Sequence, residues 1–385
     1  MNSRNRAKIF AYLCLIFSFL YGITDVHAAR TTSSIVIDAL TGNIIYSHNA
    51  DERRYPASLT KLMTLYLTFN AIEKGDLTLN TKLNVSYKAS HQEPSHIELR
   101  KGDTISVKDA ILALIVKSAN DCAVVLAEAI GKNEADFAKL MTKTAKDLGM
   151  KNTTFKNPHG LHNKDQKTTA RDMAILAGAI YHHFPEYYDL FSTKKFSYKG
   201  KTFGNHNHLL KHFKGADGMK TGYTRKAGYN IVTSAQWDDK RVIAVTMGHS
   251  TYKDRDFKVA DLMKKGLKNL SDSTSAKKYA KLELPSQISS EKNNNWAVQI
   301  GAFSNYIKAR NYALMVQNDL HLPYANKSEI NVEASPDSGA VVYRSQIKGF
   351  AKNEADKTCY SLKKSNKPCI VIQTFDNQQL AMVKQ

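Results

Sequence analysis

The stretch SLTKLMTLYLTFNAIEKG (residues 58–75) decides how this part of the chain folds. Its apolar residues recur at helical spacing and predict a buried helix that ends at Gly75. Pro56 is tolerated in the first turn of a helix, so Ser58 is expected at or near the helix N-terminus. Residues three apart share a helix face, so the Ser58 hydroxyl and the Lys61 amine can meet.

A Ser-x-x-Lys pattern alone is weak, and it recurs elsewhere, for example at Ser192 and Lys195. A serine that caps a helix, followed by a lysine that extends to solvent, would explain it equally well. A lysine amine acts as a base only when it is neutral. Burial among apolar neighbours and a second nearby cation would both lower the pKa of Lys61 in that direction.

A second pattern lies between two helix-like segments, at Ser118-Ala119-Asn120. A hydroxyl in such a break could pass on a proton, and an amide could hold a peptide carbonyl. The alternative is that Ser118 and Asn120 only end one helix and cap the next.

The third pattern is Lys220-Thr221-Gly222, which occurs once in the chain. It precedes two strand-like runs, NIVTSAQW and RVIAVTMG, which predict an antiparallel pair. An edge strand here could offer its backbone to a peptide, with Lys220 and Thr221 binding an anion and Gly222 allowing close approach. A plain hairpin turn is the alternative.

The chain has 385 residues, of which 42% are hydrophobic, and a formal net charge of +20. This length allows two domains. Residues 1–28 combine early basic residues, a short apolar run and small residues near Ala28, as in a cleaved secretory signal, with an uncleaved anchor as the alternative. Export argues against a nucleic-acid partner. The excess of positive charge suits binding to an acidic polymer outside the cytoplasm. No later segment is apolar enough to require a membrane.

Composition divides the rest of the chain into residues 29–270, a polar linker (271–295) and residues 296–385. The last part contains a weak repeat, since Gln-Ile-x-x-Phe begins at Gln299 and again at Gln346, and each copy runs into a helix-like stretch. We therefore expect a small α+β domain with two similar halves. Cys359 and Cys369 suit a local disulfide in an oxidising compartment, with two unpaired thiols as the alternative.

The three patterns in this order, together with the stretches LGMKNTTFKNPHGLH and TTARDMAILA, resemble the serine-type D-Ala-D-Ala carboxypeptidases, the low-molecular-mass penicillin-binding proteins. The resemblance covers residues 29–270. It implies an α+β fold like that of the β-lactamases and DD-peptidases, in which an antiparallel sheet packs with a helical region. It implies no metal and no cofactor, although His206, His208 and His212 superficially suggest metal ligation.

The resemblance also implies roles for individual residues. Ser58 would attack the peptide carbonyl between two terminal D-alanines of a peptidoglycan stem, Lys61 would take the serine proton, and Ser118 would protonate the leaving D-alanine. Asn120 would position the acyl chain, and the backbone N–H groups of Ser58 and Tyr223 would form the oxyanion hole. The terminal carboxylate would be bound by Lys220, Thr221 and Arg255. A surface salt bridge is the alternative for Arg255.

Two enzymatic alternatives share these motifs. A class A β-lactamase uses a glutamate to activate the deacylating water, but the chain has no glutamate between Lys151 and Pro185. We therefore expect β-lactams to acylate Ser58 and remain bound. An endopeptidase that cuts cross-links is the closer alternative. The third possibility is a catalytically weak factor that chiefly binds the cell wall.

Residues 296–385 resemble a SPOR domain, on the stretch WAVQIGAFSNYIKARNYA and its repeat. The resemblance implies a β-α-β-β-α-β fold whose sheet binds glycan strands stripped of stem peptides, with Trp296, Gln299 and Phe303 as candidate contacts. The alternative is that Phe303 and Phe350 are equivalent core residues of the two halves. The protein is then expected in the periplasm of a Gram-negative bacterium, with enrichment at the division site.

Overall fold

The structure is a computed structural model, and it describes residues 31–238, 240–271, 296–319, 328–337 and 340–374. The expected signal peptide (1–28) lies outside the described residues, and so does the expected linker apart from residue 271. Within the described ranges, every helix is too short or too polar to cross a membrane.

The described residues form two groups of elements. In chain order the strands are β1 (Ser33–Asp38), β2 (Ile44–His48), β3 (Lys82–Asn84), β4 (Thr104–Ser106), β5 (Lys195–Tyr198), β6 (Lys201–Gly204), β7 (Ala216–Thr224), β8 (Gly228–Trp237), β9 (Lys240–His249), β10 (Trp296–Phe303), β11 (Glu329–Asp337), β12 (Ala340–Phe350) and β13 (Ile370–Gln373). The α-helices are α1 (Lys61–Glu73), α2 (Tyr87–Ser90), α3 (Val107–Leu112), α4 (Asn120–Gly131), α5 (Glu134–Asp147), α6 (Ala170–His183), α7 (Pro185–Tyr188), α8 (Leu209–His212), α9 (Tyr252–Ser271), α10 (Tyr306–Asp319) and α11 (Lys352–Lys364).

The N-terminal domain (residues 32–271) is built on a five-stranded antiparallel sheet in the order β2-β1-β9-β8-β7. Alternate residues of a strand face opposite sides of the sheet. Val36 accordingly packs with α9 on one side, whereas Ile35 and Ile37 pack with the helical region on the other. The α+β fold with an antiparallel sheet is therefore confirmed, and β7, at the edge, has one side of its backbone free of the sheet.

The predicted helix at residues 58–75 forms as two segments. A 3₁₀ turn (Ala57–Thr60) leads directly into α1, which ends at Glu73. Most of α1 is buried, including Leu62 and Phe69, because the helix runs through the main core of the domain. The turn that carries Ser58 is thus attached to the most deeply packed helix of the domain.

The C-terminal module (residues 296–374) has the element order β-α-β-β-α-β that the sequence led us to expect. Its antiparallel sheet has the order β11-β12-β10-β13. Both helices pack on one face, over a core that includes Val298, Ile347 and Leu362. A disulfide joins Cys359 on α11 to Cys369, immediately before β13.

Candidate active site

Ser58 and Lys61 lie together at the start of α1. The Lys61 Nζ atom is 3.3 Å from the Ser58 Oγ atom, because the 3₁₀ turn and the first residue of the helix place them on one face. The Lys61 Nζ atom also donates to Asn120 Oδ1 at 2.7 Å and to the His159 carbonyl at 2.6 Å. The amine is therefore held in place from three sides.

Burial shifts the pKa of this amine. Lys61 is completely buried, and burial, reinforced by the positive charge of Lys220, lowers its pKa well below the ordinary lysine value, while the Asp121 carboxylate opposes the shift. A lower pKa increases the fraction of neutral amine near neutral pH. Lys61 is accordingly suited to accept the proton of the Ser58 hydroxyl.

Two glycines let other segments approach the Ser58 turn closely. A Cβ atom on Gly222 would lie 3.0 Å from the Ser58 nitrogen. Gly160 has a φ of +93°, and a Cβ atom there would lie 1.9 Å from the Ala57 carbonyl oxygen. Strand β7 and the loop before α6 therefore pack directly against the backbone of the turn, which requires glycine at both positions.

Ser118 and Asn120 occupy the break between two helical segments. A π-helical turn (Ala113–Lys117) ends at Ser118, which has a left-handed φ of 62°, and α4 begins at Asn120. The Asn120 side chain accepts from Lys61 and donates to the Glu93 carbonyl at 2.8 Å. The Ser118 hydroxyl is buried and has no hydrogen-bond partner among the described residues, so it is available to a bound molecule.

Lys220, Thr221 and Arg255 form the positive side of the site. Lys220 is buried and donates to the Thr221 carbonyl at 2.9 Å. Burial and the charge of Arg255 lower the pKa of Lys220 to about 7. Arg255 lies on α9 with only 4% of its surface exposed and donates to Asp256 Oδ1 at 2.7 and 2.8 Å. Arg255 is thus buried at the site, and its guanidinium forms an ion pair with the partly exposed Asp256.

Most of these residues meet at one cavity of about 360 Å³. Its lining contains Ser58 and six other residues with an expected catalytic or binding role, namely Ser118, Asn120, Thr221, Gly222, Tyr223 and Arg255. His206 and His208 also line it, whereas Lys61 and Lys220 do not. Sequence reasoning did not single out His159, Tyr229 or Tyr252, which also line it. The Pro-His-Gly of the loop carried the signal for His159, because its glycine marks a close backbone approach. Among the described residues, no carboxylate lines the cavity.

Three of the histidines have polar partners within the protein. His182 contacts the Ala39 carbonyl at 2.7 Å, His183 contacts the Tyr66 hydroxyl at 2.8 Å and His208 contacts Asp256 at 3.2 Å. In the part of the chain that the structure describes, no three His, Cys, Asp or Glu side chains form a group that could hold a metal ion.

The three candidate contacts of the C-terminal module lie on different faces of its sheet. Trp296 and Phe303 pack against the clusters on the side covered by the helices. Gln299 alternates with Val298 along β10 and lies opposite Gln346 of β12, so it belongs to the face without helices. Packing thus accounts for the two aromatic residues, and only Gln299 has the location expected of a ligand contact on the open face.

The site brings a serine hydroxyl and a buried lysine amine together at one cavity, an arrangement suited to acyl transfer. A family model described as D-alanyl-D-alanine carboxypeptidase, peptidase S11, matches residues 23–251, more than half of the chain. The chain belongs to this family of enzymes.

Curated relatives and solved structures agree with this family. D-alanyl-D-alanine carboxypeptidase DacF of Bacillus subtilis is 37% identical over 61% of this chain and 62% of its own length. DacA of Haemophilus influenzae is 34% identical over 74% of this chain and 73% of its own length. The match thus spans less than two thirds of the Bacillus relative.

Among solved structures, penicillin-binding protein 5 of Haemophilus influenzae is similar with a TM-score of 0.59 and 37% identity, over 63% of this chain and 72% of that one. Penicillin-binding protein D2 of Listeria monocytogenes, in its ampicillin-bound form, has a TM-score of 0.55 and 32% identity, over 61% of this chain and 96% of that one.

Proposed function

We propose that the protein removes the terminal D-alanine from peptidoglycan stem pentapeptides through an acyl-enzyme on Ser58. One observation carries this proposal: the buried Lys61 amine lies 3.3 Å from the Ser58 hydroxyl and has a lowered pKa. A base is useful to a serine nucleophile only within hydrogen-bond reach and in its neutral form. The distance meets the first condition, and the lowered pKa favours the second.

The reaction begins with acylation. The Ser58 Oγ atom attacks the carbonyl carbon of the penultimate D-alanine as Lys61 takes the hydroxyl proton. The C–N bond then breaks, and the terminal D-alanine leaves as an amine that receives its proton through the Ser118 hydroxyl. Water hydrolyses the Ser58 ester in a second step and frees the shortened stem. The buried Ser118 hydroxyl, which lacks a partner among the described residues, supports its assignment as the relay.

The same cavity would bind and polarise the substrate. The backbone N–H groups of Ser58 and Tyr223 form the oxyanion hole, an assignment supported by the close approach of Gly222 to the Ser58 nitrogen. The terminal carboxylate of the stem binds to Thr221 and Arg255 beside the Lys220 charge. Positive charge on this side suits an anionic substrate terminus.

β-Lactams would act as covalent inhibitors of the protein by acylating Ser58. The similar Listeria protein was solved in ampicillin-bound form. Within the described residues, the cavity lining has no carboxylate that could activate a water for rapid deacylation. We therefore expect the penicilloyl ester to persist for much longer than the ester formed from a stem peptide.

The test is D-alanine release from a pentapeptide stem, together with covalent labelling by a fluorescent penicillin. Ser58→Ala should abolish both signals. Ser192→Ala is the matched control, because Ser192 belongs to another Ser-x-x-Lys pattern but lies exposed outside the cavity, and it should retain both. Wild-type protein that neither releases D-alanine nor binds penicillin would refute the enzyme and favour a wall-binding factor.

A cross-linked muropeptide dimer in the same experiment separates carboxypeptidase from endopeptidase activity. Release of D-alanine from the pentapeptide without cleavage of the dimer supports the proposal. Faster cleavage of the dimer would instead assign the protein as an endopeptidase.

We also propose that the C-terminal module is a SPOR domain that binds denuded glycan strands in the periplasm, with enrichment at the division site. Its support is the element order β-α-β-β-α-β and the amide side chains on the face without helices. On that face Gln299 is partly exposed, whereas Asn331 and Gln346 are buried and hydrogen-bonded to each other at 2.7 Å. Gln299 lies opposite Gln346, and its amide can both donate to and accept from sugar hydroxyls.

Glycan binding is tested by co-sedimentation of the full chain with amidase-treated sacculi. Gln299→Ala should weaken binding, whereas Asn353→Ala, an exposed amide on α11 on the other side of the sheet, should leave it unchanged. Equal binding by wild type and Gln299→Ala would reject the open face as the glycan site. Periplasmic location is checked by fractionation, and septal enrichment by microscopy of a fluorescent fusion.

A further inference from the structure

The C-terminal module contacts the N-terminal domain through the residues that begin α10. Asn305 is fully buried, and its Nδ2 atom donates to both carboxylate oxygens of Glu186, at 2.7 and 2.6 Å. Its Oδ1 atom accepts from the Lys308 backbone N–H at 3.0 Å and so caps α10. One side chain thus both starts a helix of the module and binds the other domain.

Tyr306, the next residue, joins the cores of the two parts. Its ring stacks on His183 of α6, with centroids 3.9 Å apart and planes 10° from parallel, and it packs against the main core of the N-terminal domain. Its edge meets Tyr343 within the module at 6.0 Å. Stacked and edge-on aromatic pairs of this kind are favourable beyond the area that they bury.

The contact continues to the helix that carries Lys61. His183 Nδ1 lies 2.8 Å from the Tyr66 hydroxyl, and both residues are buried. Burial lowers the pKa of His183 well below its ordinary value. The neutral ring can therefore accept a hydrogen bond from the Tyr66 hydroxyl at Nδ1. Tyr66 follows Lys61 by five residues on α1, about 7.5 Å along the helix axis.

These contacts differ from those expected of a module held only by a polar linker. A tethered domain keeps its surface amides hydrated and its exposed aromatic rings free. Here Asn305 is fully buried although its partner Glu186 stays exposed, and Tyr306 is partly buried against the main core of the other domain. A buried polar side chain whose hydrogen bonds are made to partners at fixed positions favours one geometry of the interface.

We propose that Asn305 and Tyr306 lock the C-terminal module in one orientation on the N-terminal domain, so that glycan bound to the module presents neighbouring stem peptides at a fixed distance from Ser58. The part of this inference that concerns glycan rests on the proposed function. Locking makes the module a positioning device, which raises the effective concentration of polymer-bound stems at the cavity.

Docking can be tested without any substrate. Spin labels on Lys211→Cys and Lys357→Cys, both exposed positions, report the distance between the N-terminal domain and the C-terminal module by double electron–electron resonance. Native Cys122 is buried, and Cys359 and Cys369 are paired. With Cys14 replaced by serine in every variant, labels attach to the introduced cysteines. The wild type should give one narrow distance distribution. A broad distribution in the wild type would overturn the proposal.

Variants then break the lock in the full chain. The double variant Asn305→Ala with Tyr306→Ala should broaden the distance distribution. Glu186→Ala should broaden it too, and because Glu186 belongs to the N-terminal domain, this variant shows that the effect does not come from misfolding of the module. The matched control is Asn353→Ala with Tyr360→Ala, which removes an exposed amide and an exposed tyrosine from α11. A distribution that stays narrow in Asn305→Ala with Tyr306→Ala would refute the assignment of the lock.

Activity separates positioning from a merely structural role. The unlocked variants should release D-alanine from a soluble pentapeptide within about twofold of wild type, but from intact sacculi at a rate lower by about fivefold or more. An equal loss on both substrates, or no loss on sacculi, would refute positioning. Absence of glycan binding by the wild type would refute the proposed function of the module, whereas the distance measurement would still decide whether it docks.

Discussion

Replacing Gly222 by alanine tests whether strand β7 must touch the Ser58 turn. The added Cβ atom would lie 3.0 Å from the Ser58 nitrogen, 3.1 Å from the Leu59 nitrogen and 3.1 Å from the Pro56 oxygen. Ordinary contacts begin near 3.4 Å, so the strand and the turn must separate by about 0.3–0.4 Å. All three atoms belong to the backbone, so no flexible side chain can move aside instead.

The separation can be converted into a rate. A 1 Å misplacement of reacting groups costs about 10²-fold, so 0.3–0.4 Å corresponds to about four- to sixfold. Complete loss of one oxyanion-hole donor costs about 10²–10³-fold. We therefore expect Gly222→Ala to lower the second-order rate constant for acylation by penicillin by about fivefold to a hundredfold. Overpacking of this size destabilises the fold by about 1–3 kcal/mol.

Stopped-flow acylation with a fluorescent penicillin gives the rate, and thermal unfolding gives the stability. Gly204→Ala is the matched control, because its added Cβ atom would meet nothing within 4 Å, and both measurements should match wild type. Gly160→Ala should be the most severe of the three, since its φ of +93° and a contact of 1.9 Å combine. Acylation of Gly222→Ala at the wild-type rate would refute the claimed proximity of β7 to the nucleophile.

Three further predictions concern pH, the relay and the module. The acylation rate should rise with pH until Lys61 is neutral. KM for a stem peptide should instead increase above about pH 7, because Lys220, with its pKa of about 7, then loses its proton. A pH–rate profile without either change would contradict these roles. Ser118→Gly should lower kcat by about 10²–10⁴-fold, yet leave the melting temperature unchanged or higher because glycine adopts a left-handed φ freely; unchanged turnover would exclude the relay. The double variant Cys359→Ser with Cys369→Ser should destabilise the module by about 2–4 kcal/mol and weaken glycan binding, while acylation by penicillin persists. An equal loss of glycan binding and acylation would contradict the view that the module and the N-terminal domain have separate hydrophobic cores.

Local patterns were sufficient to place Ser58 and Lys61 together. Helical spacing put Ser58 and Lys61 on one face, and Pro56 put them at the start of the helix, as the structure has them apart from a 3₁₀ first turn. Such features depend on neighbours within one or two turns, which a single sequence contains. The same holds for Ser118, whose place between two helical segments followed from the flanking patterns.

Long-range contacts were beyond sequence reasoning. The amine of Lys61 is held by Asn120 and by the His159 carbonyl, which lie 59 and 98 residues away, and a backbone acceptor leaves no side-chain signature. Lys-Thr-Gly lies within β7 and not in a hairpin turn, because the register of β7 on β8 pairs Lys220 with Val232. The sequence left an edge strand and a hairpin turn open at this point, and the pairing between strands decides for the edge strand.

The repeat of the module was visible, but the orientation of its side chains was not. Gln299 and Gln346 were recognised as equivalent positions, whereas Trp296 and Phe303 looked equally able to bind a ligand. Strand register decided between the faces, since the two aromatic residues share the side of the helices. Register follows from pairing between strands, which a single-strand pattern does not contain.

The pairing of Gln299 with Gln346 has a consequence for direction. Equivalent residues of the two halves face each other across antiparallel strands, so a local twofold axis passes through the centre of the open face. Of the two amides only Gln299 is partly exposed, because Gln346 is buried, so a polymer that crosses this centre meets one amide close to the axis whichever end leads. Asn305 and Tyr306 have no counterpart in the second half, where Lys352 and Asn353 stand. The polarity of a glycan strand relative to Ser58 would thus be set by the asymmetric docking of the module and not by this central amide.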